Sequence, residues 1–172
     1  VEPLFEGSLK RVFVVISDAL RFEVAQELVQ LTNSKNRFKA SLEGMLGVLP
    51  SYTALGMAAL LPHKTLAYKV GNAVEVQVDG RTVATLDQRS EQLGTVGGMA
   101  VRADDLMALG KEKGRELVKN HRLIYIYHDR IDMIGDKQAS ESKTFEAADQ
   151  TIQCLKYLPL FAPLCNGALR NT

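Results

Sequence analysis

Val12-Phe13-Val14-Val15-Ile16 is an unbroken apolar run, mostly β-branched, that stops abruptly at Ser17-Asp18. A run apolar on both alternating sides predicts a strand covered on both faces, as in a parallel sheet. Behind it, Ala19, Leu20, Phe22, Val24, Ala25, Leu28 and Leu31 recur at helical spacing and predict a helix over 19–32. Strand, polar tip and helix together make the opening of a βαβ unit.

The second apolar stretch, 42–49, contains Gly44 and Gly47, ends at Pro50 and is read as a further strand. Ser51-Tyr52-Thr53 then leads into a short helix over 54–61, stopped by Pro62. Apolar and polar residues alternate over 74–83 around Asp79-Gly80, which predicts a β-hairpin projecting from the main sheet. Helical periodicity returns over 87–93 and 103–120, the latter opened by Asp104-Asp105 near its positive end. Leu123-Ile124-Tyr125-Ile126-Tyr127 is another doubly buried strand, running into His128-Asp129-Arg130-Ile131-Asp132. A last helix is expected over 140–158, with Ser140 as its N-cap. The alternation of strands and helices predicts one α/β domain, a mainly parallel sheet flanked by helices with a β-hairpin excursion.

Composition narrows this only a little. A chain of 172 residues suffices for one domain with its own core but not comfortably for two. The net charge of +1 gives no overall field that would favour nucleic acid or an anionic membrane. No apolar run approaches the ~20 residues of a membrane span, and nothing at the start reads as a leader, so a cytoplasmic location with no membrane partner is expected. Cys154 and Cys165 have neither CxxC spacing nor a nearby histidine and are expected to be inert thiols. Val1 in place of a methionine, and a turn-like string over 165–172, read as the ends of an excised segment.

Chemistry concentrates where two strands end. In open α/β sheets ligands bind beyond the carboxyl ends of the strands. The first strand delivers Asp18 there, and the later one delivers His128, Asp129 and Asp132. Carboxylates with an imidazole suit zinc or manganese better than calcium. Each residue also has a plain structural role open to it: Asp18 as a helix cap, His128 as an ordinary strand-end histidine, Asp132 as a turn residue. Thr53, near the start of the 54–61 helix, is a candidate phosphorus nucleophile, because helix N-termini favour a phosphate. It, or Ser51, is equally open to reading as an N-cap.

Three strings then carry a specific resemblance: Val15-Ile16-Ser17-Asp18-Ala19-Leu20-Arg21-Phe22, Leu49-Pro50-Ser51-Tyr52-Thr53-Ala54-Leu55-Gly56, and Tyr125-Ile126-Tyr127-His128-Asp129-Arg130-Ile131-Asp132. In order and spacing they resemble the PglZ domain, and the resemblance runs through nearly all of 11–160. That family belongs to the alkaline phosphatase superfamily, whose members hydrolyse phosphate or sulfate esters with two metal ions and a Ser or Thr nucleophile. PglZ proteins take part in the BREX and phage-growth-limitation systems, beside a DNA methyltransferase and ATPases. The resemblance implies an alkaline-phosphatase-like fold and a phosphatase or phosphodiesterase acting in phage defence. It implies Asp18 as a metal ligand, Thr53 as nucleophile touching the metals, and His128 with Asp132 as ligands of the other ion. The cofactor it implies is a pair of divalent ions, zinc first and manganese or magnesium as alternatives. The substrate would be a phosphate ester, nucleic acid or nucleotide among the candidates. The later Asp-His-Gly type motif that completes such sites does not occur in the 172 residues, so the chain is expected to hold only the N-terminal part of the catalytic domain. A docking module with the fold but little activity is the alternative.

Overall fold

The computed structural model describes residues 11–34, 39–129 and 131–133. In it β1 (Val12–Ser17) is followed by α1 (Phe22–Ser34), α2 (Thr53–Ala59), β2 (Leu66–Val70), β3 (Val74–Val78), β4 (Arg81–Thr82), α3 (Leu86–Gly94), β5 (Gly98–Arg102), α4 (Ala103–Ala108), α5 (Gly110–Lys119) and β6 (Leu123–His128). The two runs expected to be doubly buried, β1 and β6, are parallel neighbours. They pair in register from Val12↔Leu123 to Ser17↔His128. The third strand, β5, lies on the far side of β6 and is also parallel, giving the order β1-β6-β5. The parallel sheet flanked by helices therefore stands as expected.

Strand alternation sorts the side chains into two apolar layers. Ile16, Ala100, Leu123 and Tyr125 face one layer, together with Leu55, Ala58 and Leu61 from α2 and its end and Val76, Val78 and Val83 from the hairpin region. Ile124, Ile126 and Val101 face the other, against Ala103 and Leu106 of α4. A central strand covered on both sides has no face turned to water, which explains why no charged residue precedes His128 in β6. Gly98 sits where β5 comes close to both β6 and α3. A Cβ there would lie 3.0 Å from the Leu123 carbonyl oxygen and 3.2 Å from that of Leu93.

The expected hairpin is present. Asp79 and Gly80 both have positive φ, 49° and 78°, as a two-residue type I′ turn requires. It belongs to a small antiparallel sheet of order β2-β3-β4, whose first strand has no counterpart among the expected elements. The Asp79 carboxylate accepts bonds from the backbone N–H groups of Lys64 (2.9 Å) and Thr65 (2.8 Å) and from the Gln92 amide (3.2 Å). Those backbone bonds, first among several contacts, hold its pKa below the usual aspartate value.

Four expectations need correction. Residues 42–49 form no strand and lie largely in the open, with Met45, Leu46 and Leu49 79%, 98% and 86% exposed. Two glycines weaken the strand preference of that stretch, and no described strand pairs with it. The first helix starts at Phe22, not Ala19, because residues 18–19 form a turn in which Ala19 takes a positive φ of 57°. The single helix expected over 103–120 is two, interrupted at Leu109, and Gly110, the first residue of the second, has φ 71°. Finally, β5 was not expected at all. The helix expected over 140–158, and both cysteines, lie outside the described residues.

Candidate active site at the carboxyl edge of the parallel sheet

Because β1 and β6 are parallel and end together, the residues that follow them emerge side by side. The ladder extends one step past the strands, with the Asp18 N–H donating to the His128 carbonyl at 2.9 Å. Asp18 and His128 are thus fixed to each other through backbone before any side chain is considered. Ala19, the next residue, sits in the left-handed region that costs a non-glycine residue roughly 1 kcal/mol or more. Its N–H donates to Asp18 Oδ1 at 3.0 Å. With α1 starting at Phe22, Asp18 is not that helix's N-cap.

His128 is 3% exposed, and its Nδ1 is hydrogen-bonded to the Ser17 hydroxyl at 2.9 Å. Ser17 is its register partner on β1, so the sheet itself supplies this contact. With Nδ1–H donating to Oγ, the ring presents a lone pair on Nε2.

Thr53 enters from α2, which packs its buried Leu55 and Ala58 into the first apolar layer. A bond from the Tyr125 hydroxyl to the Leu60 carbonyl, 2.7 Å, ties the end of that helix to β6. The N-cap of α2 is Tyr52, in extended backbone and without a side-chain cap bond. Neither Thr53 nor Ser51 is therefore the cap, and Thr53, the first helical residue, is exposed.

Asp18, Thr53 and His128 line one cavity of about 310 Å³, together with Arg89, Arg102 and Asp129. Asp18, Thr53 and Met57 also border a second cavity of about 360 Å³, walled on its other side by Met45, Leu46 and Val48. The exposed 42–49 segment is thus an outer wall of the site region. Asp132 is not among the lining residues. It lies in a helical turn at 131–133, where the Met133 N–H donates to the Asp129 carbonyl at 3.0 Å.

A carboxylate, a hydroxyl and an imidazole are suitable donor types for a zinc-like ion. They fall short in number. Among the described residues no three His, Cys, Asp or Glu side chains come together as a metal-binding group.

The cavity's cations come from β5 and α3, which the sequence reading did not connect to the site. Arg102, the last residue of β5, pairs with the Asp129 carboxylate at 3.0 Å. Arg89 lies over the Tyr127 ring, 5.1 Å from its centroid, rather than in hydrogen-bonding line with the hydroxyl, which is buried with no partner among the described residues. Burial raises the Tyr127 pKa, and the nearby guanidinium only partly opposes this. Ser17 could have been found as the polar residue ending the first apolar run. Arg89 carried no sequence signal, since only the fold brings α3 to this edge.

Comparison with known proteins then agrees with the architecture. The family described as the BREX system PglZ alkaline phosphatase-like domain matches residues 1–168. The alkaline phosphatase-like protein BrxZ of Escherichia coli O9:H4 (strain HS) is 46% identical over 159 residues, covering 92% of this chain and 18% of that protein. The alkaline phosphatase-like protein PglZ of Bacillus cereus (strain H3081.97) is 38% identical over 160 residues, with the same two coverages, 92% and 18%. The chain thus spans under a fifth of the length of these relatives. No solved structure matches it significantly.

Proposed function

The chain belongs to the PglZ family of BREX alkaline phosphatase-like domains, and we propose that it carries part of the site of a metal-dependent phosphate-ester hydrolase acting in phage defence. The observation that supports this reading is the meeting of Asp18, Thr53 and His128 at one cavity, from three segments far apart in the chain. A hydroxyl not used for capping, beside a carboxylate and a buried imidazole, is a combination that suits nucleophilic attack on phosphorus.

In this reading the Thr53 oxygen attacks the phosphorus of a monoester or diester. The bond from phosphorus to the leaving alcohol breaks, and the alcohol takes up the proton that Thr53 loses. Water then cleaves the phosphothreonine, returning the hydroxyl and releasing the phosphate product. Ser17 holds the His128 ring in place throughout. Two divalent ions, zinc or alternatively manganese or magnesium, would supply stabilisation of the charge on the transferring group. Asp18 and His128 are their candidate ligands here, Asp132 is a further one, and the rest lie outside the described residues. Nucleic acid or a nucleotide is the candidate substrate, and the defence-system methyltransferase and ATPases are the candidate partners.

The test is hydrolysis of nitrophenyl phosphate monoester and diester by the full-length protein with each metal in turn. The reading expects activity that chelation removes and that Thr53→Ala lowers by about 100-fold or more, with unchanged thermal melting. Metal-independent turnover, or turnover indifferent to Thr53→Ala, would reject it. No turnover with any metal, in a protein that still assembles with its defence partners, would favour the docking module.

A further inference from the structure

The two arginines of the cavity differ in what surrounds them. Arg102 faces the Asp129 carboxylate at 3.0 Å, and both side chains are about half exposed, 57% and 47%. Arg89 is held only by neutral groups. Its Nε donates to the Val83 carbonyl (3.1 Å) and one Nη2 hydrogen to the Ala84 carbonyl (3.0 Å), while the guanidinium lies over the Tyr127 ring. Among the described residues no carboxylate pairs with it.

Its backbone is equally fixed. Arg89 lies in the first turn of α3, which starts with a capping box: the Thr85 hydroxyl accepts from the Gln88 N–H at 3.3 Å, and the Gln88 side chain accepts from the Thr85 N–H at 3.1 Å. The Gln88 side chain also accepts from the Ala84 N–H at 2.9 Å, so the loop whose carbonyls hold the guanidinium is itself tied down. A long, rotamer-rich cation has thus been ordered in advance, keeping its charge and about three of its five N–H donors.

Such an arrangement matches an oxyanion. Guanidinium presents a planar fork to paired oxygens, and phosphate takes it in two parallel bonds. The cavity also contains Thr53, and its volume of about 310 Å³ suits a phosphoryl group with a small part of its ester. We infer that Arg89 is the residue that binds the non-bridging oxygens of the phosphate ester facing Thr53, with Tyr127 and the Val83 and Ala84 carbonyls as its support. This rests on the hydrolase reading and adds to it the group that recognises the anion. A purely structural Arg89 would instead serve only to tie the 83–84 loop to α3.

The experiment measures binding of inorganic phosphate to the full-length protein by calorimetry, with chelator and with each divalent metal, for wild type, Arg89→Gln, Arg89→Lys and Arg102→Gln. Gln keeps a donor for the loop carbonyls and Lys keeps the charge, so both variants are expected to fold. Arg89→Gln should weaken phosphate binding by about 10-fold or more, as expected for losing charge-assisted bonds. Arg89→Lys should recover part of that loss, and Arg102→Gln should cost less than Arg89→Gln. Phosphate affinity unchanged in Arg89→Gln, with only thermal melting lowered, overturns the inference in favour of the structural tether. A larger loss in Arg102→Gln also overturns it. Thr53-dependent hydrolysis with Arg89-independent phosphate binding refutes this inference alone. Arg89-dependent phosphate binding without hydrolysis in any variant refutes the hydrolase reading alone.

Discussion

Tyr125→Phe tests the joint between the helix that carries Thr53 and the strand that carries His128. The Tyr125 side chain is 1% exposed, and its hydroxyl donates to the Leu60 carbonyl at 2.7 Å. Removing that oxygen should cost about 1 kcal/mol at pH 8, a typical net value for one hydrogen bond whose acceptor can still find water. Burial also raises the phenol pKa from 10.0 to about 12. Because the folded value is the higher one, the associated stability is fully present below pH 10 and is lost as pH rises towards 12. The full displacement is worth on the order of 2–3 kcal/mol, from about 1.36 kcal/mol per pH unit. Midway, at pH 11, wild type should have lost on the order of 1 kcal/mol through ionisation of the phenol, a loss that Tyr125→Phe cannot undergo. Urea unfolding of both proteins at pH 8 and pH 11 provides the assay. The wild-type advantage should disappear or reverse at the higher pH. An advantage unchanged between the two would mean the hydroxyl is not buried against Leu60.

Two further outcomes follow from backbone geometry. Gly98→Ala pushes a Cβ to 3.0 Å and 3.2 Å from two carbonyl oxygens and should lower the urea-derived stability by about 1–3 kcal/mol. No change would mean β5 lies farther from Leu123 and Leu93 than described. Asp79→Asn keeps a residue that tolerates positive φ but removes the charge that accepts from Lys64 and Thr65, so amide exchange at those two positions should quicken while β6 is unaffected. Since the Asp79 pKa is lowered, the wild-type protection should be present above the ordinary value of 3.8 and lost as pH falls below it, a step absent from Asp79→Asn.

The doubly apolar runs of β1 and β6 were legible because a central parallel strand leaves no polar face, and their pairing brought Asp18 and His128 to one edge as the strand ends implied. The Asp79-Gly80 turn was legible for an equally local reason, two consecutive positions that need positive φ. β5 escaped because Gly98-Met99-Ala100-Val101-Arg102 is short and holds two small residues among its five, and only its place beside β6 makes it a strand. The 42–49 stretch misled in the opposite direction, since apolar content without a partner strand does not make β structure. Thr53 could be suspected from its place before a short helix. That it escapes capping became clear only when Tyr52 proved to be the N-cap. Ser17 was visible as the polar end of the first apolar run, but its contact with His128 comes from register, and Arg89 reaches the site through tertiary approach, which local pattern does not show.

The central claim is that Thr53 is the nucleophile in a cavity it shares with Asp18 and His128. Its most direct measurement is mass spectrometry of the full-length protein, acid-quenched during turnover of a phosphate monoester in the presence of divalent metal. A phosphoryl group on the peptide containing Thr53, absent from Thr53→Ala, is the predicted result. A phosphoryl group on another residue, or steady turnover by Thr53→Ala, would contradict the account.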